Sequence, residues 1–252
     1  MDGCCEREVE ILNKVQLEAA RIVTGLTTFA SRESLYFETV WETLTERRKN
    51  RKLCIFYRMH NNICPQYLSD CLPTLVSNVS GYNLRNNDNY VAIRTRLNVY
   101  AKSCVPSTIS LWNNLETSIR STPTLDSFKI KLKTPLFKPP KYFGEGSRRL
   151  NIIHARLRHQ CSSLNADLYR INLAENPNCN CGAPYEDAIH YFLECPLYQI
   201  QTANLFNDIE NIELNIETIL FGNEDLSLQI NTNIFEKVRN CIGRTNRFPT
   251  GQ

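Results

Sequence analysis

What the chain does not contain narrows it first. No apolar run approaches the roughly 18 residues that a membrane-spanning helix needs, so no membrane contact is expected. The opening residues MDGCCEREVEIL are charged and carry no apolar core, which argues against a secretory signal peptide. The expectation is an intracellular protein, cytoplasmic, nuclear or both. Neither a P-loop nor a His-Glu-x-x-His pair is present, so the signatures of phosphate cradling and zinc-protease chemistry are missing. Histidine is scarce, with four in 252 residues. His159-Gln160-Cys161 comes nearest to a Cys–His nucleophile pair, but no orienting acid accompanies it. No segment repeats. Lysine and arginine are absent from the whole of 171–236.

That last gap exposes a charge partition hidden by a net charge of +3. Residues 120–170 hold eleven Lys/Arg against three acids, and residues 171–236 hold eleven acids. A basic surface beside an acidic lobe suits a polyanionic partner on one side only.

Cysteine, by contrast, is abundant. Eleven is an odd number in a long chain, which speaks against a secreted disulfide scaffold. Cys54, Cys64, Cys71, Cys104 and Cys241 lie among apolar residues, where buried free thiols are expected. Cys4 and Cys5 have no nearby histidine and are not read as ligands. Cys179, Cys181, His190 and Cys195 differ from the rest. They form C-x-C-x8-H-x4-C, three thiols and an imidazole within 17 positions, the ligand set of one closed structural Zn²⁺ site. The competing reading is four unlinked residues in a cysteine-rich chain. Gly182 gives the chain freedom to fold back, and Pro184 can open a helix with Glu186 and Asp187 in its first turn. On a straight helix Cys195 would face about 140° away from His190, so that helix must end at Cys195, where Pro196 disfavours helical geometry.

Elsewhere the periodicity is mostly helical, and the fold class expected is mainly α: a helical N-terminal lobe with a short β element, then a small helical zinc-binding C-terminal lobe. A helix over 6–26 places Val9, Leu12, Val15 or Gln16, Ala19, Ala20 and Val23 inward and stops at Gly25. Others run from Ser31, over 44–59 with a basic outer face, from Pro106 through Leu115, and from Thr124 through Leu132. Residues 90–97 alternate as one short strand, with a partner around 82–84. Five Pro/Gly residues make 135–146 a linker between a region 1–134 and a region 147–252. The latter opens on a basic helix, 148–158, with Leu150, Ile153 and Leu157 on its inner side. Further helices are expected over 164–173, 198–209 and 234–242.

Several of these stretches resemble one family. Gln16 to Gly25, Leu44 to Arg48, Tyr57 to Asn61 and Pro65 to Leu68 look like the segment after the polymerase core of LINE-type, non-LTR retrotransposon reverse transcriptases. Tyr82 to Arg85, Pro106 to Leu115 and Phe128-Lys129 are similar to the connector of jockey-like elements. Ile153 to Arg158, Cys161 to Asn165 and the Cys179–Cys195 motif resemble the C-terminal zinc-binding region. The matches cover most of 10–200 in the family's order, and make 1–134 connector- or thumb-like. The family's Tyr/Phe-x-Asp-Asp turn, which holds the paired catalytic metals, is missing, as is an endonuclease. The resemblance therefore implies a C-terminal fragment and no enzyme. Its expected role is a nucleic-acid-binding accessory region for RNA or DNA, alongside the polymerase core of an intact element. Lys138, Lys141, Arg148, Arg149, Arg156 and Arg158 would make its non-specific phosphate contacts. The alternatives are a helical protein-interaction module, in which basic and acidic lobes pair, and an element remnant that binds no nucleic acid.

Overall fold

The computed structural model describes residues 6–79, 87–132, 139–207 and 215–248. In chain order the helices are α1 (Glu6–Thr24), α2 (Arg32–Thr39), α3 (Leu44–His60), α4 (Gln66–Ser69), α5 (Val76–Val79), α6 (Asn98–Ala101) and α7 (Cys104–Asn113). They continue with α8 (Thr117–Arg120), α9 (Leu125–Leu132), α10 (Arg148–Arg158), α11 (Asn165–Arg170), α12 (Gln199–Asn207), α13 (Ile216–Phe221) and α14 (Leu228–Arg244). The fold is mainly α-helical, and none of these helices is long and apolar enough to cross a membrane. Two compact units form. The first comprises 1–16 and 42–136, the second 17–41 and 137–252.

The first unit is built on α3, which packs against α7 and α9. Thr43 caps it by accepting the Glu46 N–H, and Leu53, Phe56, Tyr57 and Met59 form its buried stripe. Tyr57 stacks on Phe128 at 4.5 Å between ring centroids, and its hydroxyl donates to Thr122 O at 2.6 Å. Trp112 fills the space beside Phe56 and is 1% exposed. His60 is half-buried, with Nδ1 2.7 Å from the Tyr90 hydroxyl.

No strand exists among the described residues, which corrects the expected β element. A single antiparallel bridge joins Leu75 to Tyr90, and no strand continues beyond it. The bridge is held by its neighbours, with Val76 N–H donating to Asn89 O at 2.8 Å and Val91 N–H to Thr74 O at 3.0 Å. The Tyr90 backbone faces away from Leu75 and meets the Asn113 side chain. Its Oδ1 accepts the Tyr90 N–H at 3.0 Å and its Nδ2 donates to Tyr90 O at 2.9 Å. One amide thus satisfies both Tyr90 backbone groups on the edge away from Leu75. The proposed partner at 82–84 lies outside the described residues.

The second unit gathers α10, α12, α13 and α14 around Leu157, Tyr191, Phe192, Ile219, Ile234, Phe235 and Val238. A smaller cluster packs Leu17, Ala20, Leu26 and Leu35 against Ala155 and Cys161. The buried face of α1 is therefore Gln16, Leu17 and Ala20, while Val15 and Val23 are exposed. Periodicity alone had placed Val15 (or Gln16) and Val23 inward. Gly25, at φ +71°, ends the turn after α1, and a Cβ there would lie 2.6 Å from Ile152. Ser227 starts α14 earlier than the apolar pattern indicates, by accepting the Ile230 N–H.

Candidate metal centre

The C-x-C segment is a tight turn. Gly182 N–H donates to Cys179 O at 3.0 Å, and Cys179 N–H donates to Ala183 O at 2.9 Å. Gly182 takes φ +97°, open to glycine at no steric cost. His190 and Cys195 are joined differently from a straight helix. Residues His190–Glu194 form one wide π turn, in which the Cys195 N–H donates to His190 O at 2.7 Å. Cys195 itself has left helical geometry, at φ −72° and ψ 117°, ahead of Pro196. Asp187 Oδ1 accepts the His190 N–H at 2.8 Å and fixes the start of that turn.

These turns bring the four side chains together. One ligand atom from each of Cys179, Cys181, His190 and Cys195 lies within 4.8 Å of all the others, an arrangement able to hold a single metal ion. Cys179 Sγ is 3.6 Å from Cys195 Sγ, and Cys181 Sγ is 3.3 Å from His190 Nε2. Tetrahedral bonds of the usual Zn–S and Zn–N lengths put such atoms about 3.5–3.8 Å apart. His190 turns its other nitrogen, Nδ1, toward Glu194 Oε2 at 3.5 Å, a carboxylate placed to orient the ring. The Ala183 backbone pulls the Cys181 thiol down to about 7, while burial pushes Cys179 up to about 12.

A residue that sequence reading missed closes the surroundings. Glu186 is 1% exposed, so it does not occupy a solvated first helical turn. Arg247, far along the chain, grips it with Nε–Oε1 at 2.8 Å and Nη2–Oε2 at 2.7 Å. The Asn165 N–H adds a third bond at 2.9 Å, and Cys179 Sγ is 4.0 Å from Oε1. A buried carboxylate beside thiols has thus been given a charged partner, as burial requires. The only sequence signal was the basic tail after an acidic stretch. Tyr191 and Phe192 are fully buried core, and Tyr185 is exposed.

The basic helix α10 spends its arginines on carbonyl groups. Arg148 Nη2 donates to Ile22 O at 3.1 Å and Arg156 Nε to Gly25 O at 2.9 Å, at the C-terminal end of α1. Arg158 Nε donates to Leu220 O at 2.6 Å, while His154 Nε2 is 2.9 Å from Ile219 O, at the end of α13. Arg149 Nη2 donates to Phe248 O at 2.7 Å. Helix C-termini carry unsatisfied carbonyls and partial negative charge, and cations there satisfy both. Arg158 goes furthest inward. It is 6% exposed, ion-paired to Glu38, and lies 3.7 Å above the Phe143 ring, leaving no face for a phosphate. Burial pushes the Glu38 carboxyl up, but the His159 hydrogen bond and the Arg158 charge outweigh it and hold the group below the usual range. Lys141, Arg148 and Arg149 are exposed and Arg156 is half-buried; Lys138 lies outside the described residues.

Among the remaining thiols, Cys161 and Cys241 are buried, Cys54, Cys64 and Cys104 are half-buried, and Cys71 is exposed. Burial of scattered cysteines is therefore less general than their apolar neighbours suggest. Cys4 and Cys5 lie outside the described residues. No family model, curated protein or solved structure gives a significant match to this chain.

Proposed function

We propose that this chain is a zinc-stapled helical accessory region, of the kind that follows the polymerase core in LINE-type retrotransposon reverse transcriptases. The convergence of Cys179, Cys181, His190 and Cys195 carries the reading, because a C-x-C-x8-H-x4-C set whose ligand atoms meet is a closed four-coordinate site. The metal is one Zn²⁺ and its role is structural. Three thiolates and an imidazole leave no open position for substrate or water. No polymerase chemistry is assigned to the chain. The missing Asp pair would have to come from elsewhere in an intact element.

Nucleic-acid contact, in this reading, is non-specific and falls on phosphates through Lys141, Arg148 and Arg149. Each arginine donates one bond to a carbonyl and retains further N–H groups toward solvent. Arg156 contributes at its half-exposed edge, and Arg158 is withdrawn into the core. A second reading, a protein-interaction module without nucleic-acid contact, draws on the same arginines, since part of each guanidinium is already bonded to a carbonyl within the fold.

Two measurements test these readings. Zinc content by atomic emission should be one per chain, and Co²⁺ substitution should give a tetrahedral thiolate spectrum. A metal-free folded chain would end the staple reading. Binding of a labelled single-stranded RNA should fall steeply between ~50 and ~200 mM salt, and should weaken in K141A/R148A/R149A. Absence of binding at ~50 mM salt would leave the interaction module in possession.

A further inference from the structure

Beside the metal centre, the second unit carries a groove of about 390 Å³. Its lining is mixed, with three large apolar side chains at the rim. Tyr185, Ile189 and Phe221 are 51%, 44% and 41% exposed, and all three line it. Its charged groups are Asp167, Asp187 and Glu217 on one side of the balance, and Arg158 and Arg170 on the other.

Both cations are already engaged within the fold. Arg158 is ion-paired to Glu38. Arg170 donates to the Gln160 side chain at 2.9 Å and to the Gln160 carbonyl, and lies 3.5 Å from Asp167. Asp167 is similarly used, because its Oδ2 accepts the Ser162 N–H and hydroxyl at 2.9 and 2.6 Å. The carboxylates with no cation beside them are Asp187, half-buried at the start of the π turn, where its Oδ1 also accepts the His190 N–H at 2.8 Å, and Glu217, exposed on α13. The surrounding stretch 171–236 contains no lysine or arginine, so nothing from it offsets that field. Apolar walls ending in carboxylates match side chains with an aliphatic stem and a cationic head.

We propose that this groove is a docking site for a basic peptide segment of a partner protein, with lysine or arginine placed against Asp187 and Glu217 and apolar side chains against Tyr185, Ile189 and Phe221. The site lies apart from Lys141, Arg148 and Arg149, none of which lines it. It takes a partner of charge opposite to the one those cations take. Nucleic acid is excluded from it by the same field that draws the peptide.

The test uses the full zinc-loaded chain and a fluorescein-labelled short peptide of lysine, arginine and leucine. Its control has glutamate in place of each cation. Fluorescence polarisation should show binding of the basic peptide only. The variant Y185A/E217K should weaken it by roughly tenfold or more, as expected when an aromatic anchor and a charge pair are both lost. Both positions are exposed, so zinc content and melting temperature should match the unmodified chain, and E217K alone should weaken binding with the fold intact. Equal affinity in the variants would overturn the proposal. Failure of the chain to bind either peptide while holding zinc would overturn the groove and leave the metal centre standing.

Discussion

Replacing Arg247 with alanine tests how the metal region is held together. The side chain supplies two of the three N–H hydrogen bonds that the Glu186 carboxylate accepts, at 2.8 and 2.7 Å. After the change, a carboxylate 1% exposed retains the Asn165 N–H at 2.9 Å and no opposing charge. Removing one partner of a buried pair costs about 3–5 kcal/mol, because the other is left uncompensated. With the second unit's size near 140 residues, counted from 17–41 and 137–252, this corresponds to a fall in melting temperature of about 10–15 °C. Circular dichroism melts of zinc-loaded R247A should show that fall. The double variant E186Q/R247M removes both charges and should recover most of it, since a neutral pair of similar volume carries no ionic desolvation cost. A further consequence concerns metal. With the proposed Zn²⁺ bound, three thiolates would leave the centre with one net negative charge, and Glu186 beside Cys179 would add another. R247A should therefore also release zinc to a chelating dye faster. If R247A melts within ~2 °C of the unmodified chain, or if the double variant is as unstable as the single one, the ion pair does not hold the region.

Three other outcomes follow from particular residues. C179S or C195S should abolish the tetrahedral Co²⁺ spectrum and lower the melting temperature of the zinc-loaded chain, whereas C71S, at an exposed position, should change neither. Gly25→Ala forces a side chain to φ +71° and into Ile152, and should cost about 1–3 kcal/mol in urea unfolding. His154 is 1% exposed, and burial, followed by the Arg158 charge, holds its pKa well below the ordinary value of 6.5. The unfolded chain then takes up a proton below pH ~6.5 that the folded chain refuses, so stability present at neutral pH is lost as pH falls through that window. The loss should be up to about 1.4 kcal/mol per pH unit, and H154Q, compared at equal zinc load, should flatten it. An unchanged slope in H154Q would exclude the residue as its source.

The metal quartet and the helical class were readable in advance because both are local. Four ligands within 17 positions need only a glycine turn and a helix end to meet, and the residues that make those turns are adjacent to the ligands. Core stripes such as Leu53, Phe56 and Tyr57 repeat at helical spacing for the same reason. Strand formation was less readable, since alternation over 90–97 cannot reveal that pairing is confined to one bridge at Leu75 and that the far edge of Tyr90 meets an amide side chain, Asn113.

The basic helix shows the limit most clearly. Its sequence establishes that Arg148, Arg149, Arg156 and Arg158 are cationic and close together, and nothing more about what they touch. Their partners, the carbonyls at the ends of α1 and α13 and at Phe248, are 62–131 positions away. The Glu186–Arg247 pair spans 61 positions. Local chemistry decided which groups can bind a metal and where helices form. Only the tertiary structure decided which charges remain for a partner, because a cation is spent wherever folding brings an unsatisfied carbonyl or a buried carboxylate against it.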